Sequence, residues 1–360
     1  MTTGTRGPVP RSLASREHSA GTVPTGWVDA PDEQEDDMDA VDARNLTKRY
    51  RRKGGTTTAV GDVSLVAAEG EVLGVLGPNG AGKTTTVEMV AGVRRPDHGS
   101  VRVLGLDPFT DRAAVRQVLG VQLQSGFLHG ALTVRELAHL YRTFYGAGRD
   151  PDELVATLGL EEQRDVRYER LSGGQQQRVA IVLALVGDPR VVILDELTTG
   201  LDPQARRQVW GVVEDLRDGG TTVLLVSHLM EEVERLCDRV TLLESGRVVA
   251  HDTPAGLVAG AGLDQRVRFR VARPLPPALL DRVPGVDDVA VRGDQVVVTG
   301  HGDLLQEVST ALVRAGVVAT ETRLERATLD DAFLALTGRP LTDDPPGGPR
   351  ATTAPTEEAA

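Results

Sequence analysis

Three stretches of the chain combine residue types and spacings suited to phosphate chemistry. The run Gly77-Pro78-Asn79-Gly80-Ala81-Gly82-Lys83-Thr84 fits the order G-x-x-x-x-G-K-T, and Thr85 follows it. Glycines let the backbone wrap so that several N–H groups point at one anion, and the helix expected next adds the positive end of its dipole. Lys83 can then bridge the outer phosphates of a nucleoside triphosphate, and the Thr84 hydroxyl can ligate Mg2+. Lys83 is one of only three lysines among 40 basic residues, the others being Lys48 and Lys53, so arginine does nearly all the cationic work elsewhere.

The second stretch, Val191-Val-Ile-Leu-Asp195-Glu196, is an apolar run ending in two acids. A buried strand would deliver Asp195 rigidly to a Mg2+ shell, and Glu196 beside it could polarise an attacking water. The alternative is a pair of helix-capping acids. The third stretch, Leu171-Ser172-Gly173-Gly174-Gln175, opens a helix over Gln176–Val186 and leaves N–H groups free at its start, forming a second anion site. One cradle already holds the phosphates, so a second makes sense if it closes on a nucleotide held by another copy.

These segments need a scaffold, and the pattern around them supplies one. Short β-branched runs (Val72–Leu76, Val101–Leu104, Val191–Leu194, Val223–Val226, Val240–Leu243) alternate with helical stretches at Thr84–Gly92, Gln204–Leu216 and Met230–Leu236. Buried strands alternating with helices predict an α/β fold with parallel strands. Thr133–Tyr145 and Pro151–Leu160 lack strands and read as a helical insertion. After Gly260 the order changes to strand (Arg266–Val271), helix (Pro277–Arg282), strands (Asp288–Arg292, Gln295–Thr299), helix (Leu304–Ala315), strand (Ala319–Leu324) and helix (Leu329–Leu336). That order predicts a small ferredoxin-like α+β unit.

Composition narrows the function classes. A net charge of −12 disfavours nucleic acid as a partner, and 3% aromatics disfavour a base-stacking platform. The longest apolar run, Val179 to Val186, is far short of a bilayer span, and the N-terminal segment lacks a secretory apolar stretch. Cys237 is alone, so it reads as a small buried hydrophobe in a reducing compartment. The first 41 residues, acidic from Asp32, and the tail over 341–360 read as disordered. Met38 is an alternative translation start.

The motif LSGGQ and its order relative to the other two identify a resemblance: from Asp42 to about Ala259 the chain resembles ATP-binding-cassette ATPases. The resemblance implies ATP and Mg2+ as ligands and a P-loop NTPase cassette with a mixed sheet core and a helical subdomain at about 125–185. It implies further roles, with Tyr50 stacking on adenine and Gln124 sensing Mg2+ and facing a membrane partner. Asp202 would lie in the subunit-crossing loop, and His228 would contact the γ-phosphate. Glu196, His228, Lys83 and Gln124 are then the catalytic candidates, with Thr84, Gln124 and Asp195 around the metal. Alternatives stay open, because Tyr50 could be ordinary core packing, Gln124 a surface amide whose place Gln122 could take, and His228 a structural histidine. Where the family usually has proline after the catalytic acid, this chain has Leu197.

The C-terminal unit, expected over 262–340 and ending Thr328-Leu-Asp-Asp-Ala-Phe-Leu-Ala-Leu-Thr-Gly338, is similar to the extension of drug- and antibiotic-export ATPases. The resemblance implies a homodimer or paired ATPase subunit, separate integral membrane permease subunits, and a place on the cytoplasmic face of the cell membrane. Tyr141, Phe144, Phe127 and Leu128 are candidate contacts to the permease. Soluble cassette ATPases acting on ribosomes or DNA are the rival class. Against them stand the single cassette, the fewer than a hundred residues between cradle and LSGGQ, and the acidic charge.

Overall fold

The computed structural model describes residues 39–52, 55–123, 128–262, 265–271, 275, 279–325 and 327–338. The expected tails lie outside these residues except at 39–41, where strand β1 (Asp39–Arg52) has already begun. Ala40 and Val41 are fully buried, and Val41 pairs with both Ala67 and Val103, so apolar side chains within the acidic stretch draw it into a sheet. The first strand therefore begins before Asp42, inside the segment expected to be a disordered tail.

Five of the strands that organise the molecule are short and almost wholly buried. β3 (Val72–Leu76) has no exposed residue, and it lies between the parallel strands β7 (Thr222–Val226) and β8 (Arg239–Glu244). With β5 (Leu119–Gln122), β6 (Val191–Asp195) and β9 (Arg247–Asp252) they form a six-stranded sheet in the order β5-β6-β7-β3-β8-β9. Only the β8–β9 pair, joined by a tight turn, is antiparallel. Alternate side chains leave each strand on opposite faces. Val72, Val192, Leu194, Val223 and Leu225 accordingly enter one apolar cluster, while Leu73, Val191, Ile193, Leu224 and Val226 enter another.

The second cluster is closed by an antiparallel three-stranded sheet, β2 (Gly55–Ala68), β1 and β4 (His98–Val103), and by helices α1 (Lys83–Val90) and α2 (Arg112–Val118). The first is closed by the helical insertion, α3 (Val134–Arg142), α4 (Pro151–Thr157) and α5 (Gly173–Leu185), and by α6 (Pro203–Asp218), α7 (Met230–Leu236) and α8 (Pro254–Gly260). Cys237 is buried in the first cluster, and burial pushes its thiol far up from its ordinary pKa, so it is an inert packing residue.

The C-terminal strands β10 (Gln265–Val271), β11 (Val286–Arg292), β12 (Gln295–Gly300) and β13 (Ala319–Glu325) form an antiparallel sheet in the order β11-β12-β10-β13. Helix α9 (Leu304–Arg314) packs on it through Leu304, Val308 and Leu312 against Val267, Phe269 and Val298. That order is the one a ferredoxin-like unit requires. The segment expected to supply its first helix, Pro277–Arg282, lies partly outside the described residues, and the described part holds no α-helix. Helix α10 (Leu329–Thr337) turns away from this sheet: Leu329 and Phe333 join the cassette's core beside Met230 and Leu257.

Candidate functional site

The glycine-rich run occupies the turn between β3 and α1, and its backbone explains the residue types. Gly77 and Gly82 take φ values of 151° and 101°; a Cβ would lie 2.3 Å from the Leu243 carbonyl oxygen at the first and 2.6 Å from that of Ala59 at the second. Gly82 is the left-handed N-cap of α1, which no side chain caps, so the helix start is left for another acceptor. Pro78 and Ala81 are buried, whereas Asn79, Gly80 and Thr84 are exposed and Thr85 is half-buried.

Lys83 is 7% exposed and donates to the carbonyls of Gly77 (2.6 Å) and Pro78 (3.2 Å). Burial lowers its ammonium from the ordinary lysine range, and the Glu196 and Asp195 carboxylates pull it part of the way back. The buried ammonium thus lies beside two acids and a glycine-rich turn.

Asp195 ends β6 at 1% exposure, its backbone bracketed by the Gln122 side chain: Nε2 donates to the Asp195 carbonyl and Oε1 accepts its N–H, both at 3.1 Å. Gln122 is thereby committed to holding the strand end, which removes it as the loop glutamine; Gln124 and Phe127 lie outside the described residues. Among the described residues no cluster of three or more His, Cys, Asp or Glu could hold a metal by itself. An exposed hydroxyl at Thr84 and a carboxylate at Asp195 are instead hard oxygen donors of the kind Mg2+ takes when it arrives with phosphates. The residues present fit that ion.

Glu196 sits one residue beyond the strand with φ at 53°, a left-handed value that a side chain adopts only when its surroundings impose it. Here they do. Its N–H donates to the Val226 carbonyl at 2.9 Å, and Gln177 Nε2 donates to the carbonyls of Glu196 and Leu197, both at 3.2 Å. Leu197 itself is fully buried, so the residue that replaces the usual proline serves the core. The Glu196 side chain is 18% exposed, and its Oε1 lies 3.8 Å from His228 Nδ1, an ion-pair distance too long for a direct hydrogen bond. The fold thus brings Lys83, Asp195, Glu196 and His228 to one end of the sheet.

The LSGGQ turn is built as an open helix start. Ser172 and Gln175 form a capping box at α5, each accepting the other's backbone N–H. Ser172 and Gly173 are exposed, nothing lies within 4 Å of a Cβ added at Gly173, and one at Gly174 would touch Leu201 at 3.0 Å. Among the described residues no hydrogen bond joins this turn to the Gly77–Thr84 loop of the same chain. Asp202 caps α6, accepting from Gln204 and Ala205 at 2.9 Å, and the Ala205 bond is the main reason its carboxyl titrates below the usual range. Tyr50 is half-buried on β1 with the Arg94 guanidinium 5.3 Å from its ring centroid.

Sequence reasoning missed Gln177 and weighed Gln122 only as a loop glutamine, whereas both fix the backbone around the two acids. The run Gln175-Gln176-Gln177 offers no local means of telling which amide turns inward; only its phase on α5 decides that.

A family model described as "ABC transporter" matches residues 60–199. The chain is 38% identical over 313 residues to the Nod factor export ATP-binding protein I of Paraburkholderia xenovorans (strain LB400), covering 84% of this chain and 99% of that one. It is likewise 38% identical over 307 residues to the daunorubicin resistance ATP-binding protein DrrA3 of Streptomyces coeruleorubidus, covering 83% and 96%. Among solved structures, an ATP-binding subunit of an ABC transporter aligns with a TM-score of 0.57 at 27% identity, over 62% of this chain and 93% of that one. A dimeric ATP-binding cassette in a post-hydrolysis state, bound to ADP and Pi, aligns with a TM-score of 0.54 at 26% identity, over 59% and 98%. With the phosphate cradle, the two acids at the end of β6 and the open start of α5 all in place, the chain belongs to the ATP-binding-cassette transporter family as an ATP-binding, ATP-hydrolysing subunit.

Proposed function

We propose that this subunit powers export of a drug, antibiotic or similar small molecule through separate integral membrane subunits, working as a dimer on the cytoplasmic face of the membrane. The observation that carries the reading is the reach of the similarity. It covers more than four-fifths of the chain and nearly the whole length of relatives named for export or resistance. Among the described residues no helix is long and apolar enough to cross a membrane.

Each triphosphate is clamped between Gly77–Thr85 of one subunit and Ser172–Gly174 of the other. The exposed, uncluttered start of α5 is what supports this arrangement. Lys83 swings from the loop carbonyls to the outer phosphates. Thr84 and Asp195 would hold Mg2+, which would supply charge neutralisation at the phosphates. Glu196 accepts the proton of the attacking water, while His228, across 3.8 Å, orients that carboxylate and the γ-phosphate. Hydrolysis leaves like charges facing each other across the interface, and the dimer opens.

The face toward the membrane partner is a groove of about 640 Å3 between the sheet edge and the helical insertion, lined by Leu123, Leu128, Tyr141, Tyr145 and Tyr168. Phe144, 61% exposed, packs edge-on against the groove residue Tyr141. The test is Glu196→Gln. With ATP and Mg2+ it is expected to sediment as a dimer with almost no turnover; a monomer at saturating nucleotide contradicts the clamp. Co-purification of the wild-type chain with an integral membrane protein supports transport, and recovery with ribosomes or DNA refutes it.

A further inference from the structure

Outside the residues already assigned, one buried acid occupies an unusual place. Glu232, in the first turn of α7, is 1% exposed, and among the described residues no cation pairs with it. Its charge is met by three neutral donors. Oε1 accepts from Thr198 Oγ1 and Trp210 Nε1, both at 2.9 Å, and Oε2 accepts from Ser227 Oγ at 2.5 Å. Ser227 Oγ in turn accepts the Leu229 N–H at 3.0 Å. Thr198, Ser227 and Trp210 are each at most 3% exposed.

The two hydroxyls belong to different loops. Thr198 lies two residues beyond Glu196, and Ser227 immediately precedes His228. A carboxylate buried without a cation is expensive, and an apolar side chain would fill the space at less cost. What a carboxylate adds is two acceptor oxygens at fixed separation, able to hold two hydroxyls in register by charge-assisted bonds. We infer that Glu232 is a positioning residue for hydrolysis: its carboxylate ties the Glu196 loop to the His228 loop and sets the spacing of the acid and the histidine. It touches neither nucleotide nor water and acts only through Thr198 and Ser227. The inference rests on the roles given above to Glu196 and His228.

The test uses the full chain with ATP and Mg2+, comparing Glu232→Gln, Thr198→Val, Glu196→Gln and Val209→Ala. Glutamine keeps the shape and one acceptor oxygen but meets Ser227 with an amide. Valine removes one hydroxyl bond while keeping volume. Glu232→Gln is expected to lower kcat about ten-fold, since small misplacements of reacting groups cost one to two orders of magnitude. Its KM for ATP should stay within about two-fold of wild type, because the Gly77–Thr85 loop and Lys83, which supply most of the phosphate contacts, do not touch Glu232. Thr198→Val should lower kcat in the same sense, and combining the two should cost less than the product of the single effects. Val209, fully buried on α6, provides the control for stability alone: its alanine variant should lose melting temperature yet keep kcat within about two-fold well below that temperature.

Should Glu232→Gln and Thr198→Val fold and turn over at the wild-type rate, or Val209→Ala lose as much kcat for the same loss of melting temperature, Glu232 is a stability residue and the inference fails. If Glu232→Gln does not fold, Thr198→Val decides by the same criterion. Glu196→Gln separates the two levels. Normal turnover there removes the catalytic reading of Glu196 itself, whereas its inactivity beside fully active Glu232→Gln and Thr198→Val overturns only the positioning role.

Discussion

Lys83 shows how a residue suited to binding phosphate can be costly to bury. Its ammonium is buried and satisfied by two carbonyls, and desolvation lowers its pKa despite two nearby carboxylates. Between that lowered value and the ordinary lysine value the unfolded chain binds more protons than the folded one, so the contribution of Lys83 to stability rises with pH across this window. The melting temperature of wild type minus that of Lys83→Met should therefore climb as pH goes from about 7 to about 10, the range approaching a free lysine's pKa. Saturating nucleotide should flatten the slope, because phosphates restore the stability of the charged form. A difference that stays level or falls with pH, measured without nucleotide, would falsify this account of the lysine.

At the scale of elements, α10 deserves comparison with α9. Both are amphipathic and both follow the change of pattern after Gly260, but α9 closes the small sheet and α10 closes the cassette. Its Thr328–Asp331 capping box starts the helix, the Leu329 N–H donates to Glu234 on α7 at 3.1 Å, and Phe333, 2% exposed, fills the space between Met230 and Leu257. Phe333→Ala is expected to destabilise the cassette by about 3–5 kcal/mol, the usual cost of emptying a buried aromatic site. Denaturant unfolding measures the loss, and amide exchange locates it. Faster exchange should reach α7 and α8; a change confined to residues 265–325 would show that α10 serves the small sheet alone.

For the whole molecule, the groove and the nucleotide site share elements. Gln177 and Gln176 lie on α5, which begins at the LSGGQ turn and lines the groove further along. Gln177 also holds the Glu196 backbone. A partner seated in the groove is therefore one helix away from both ends of the ATP site. Phe144→Glu, at an exposed position, should leave the melting temperature nearly unchanged while reducing the membrane protein that co-purifies with the chain. Undiminished recovery of that partner would place its contact elsewhere.

Local chemistry made much of this legible from the residues in order. The cradle needs glycine where backbone passes within 3 Å of a Cβ position, so Gly77 and Gly82 announce the turn by themselves. The buried strands β3, β6 and β7 are continuous apolar runs because both of their faces are covered, and such runs are visible without a partner. β1 and β2 were not visible, since their pairing contains several register shifts and β2 starts with polar residues, which blurs the alternation. Equally hidden were the destination of α10, the inward turn of Gln177 and the meeting of Thr198, Trp210 and Ser227 on Glu232. Each depends on which surface lies opposite, and a chain read in order carries its own periodicity but not the identity of the face that packs against it. Tertiary structure alone decides those contacts, because residues 29 positions apart in sequence, as Thr198 and Ser227 are, reach one carboxylate only after β6 and β7, the strands that precede them, have paired.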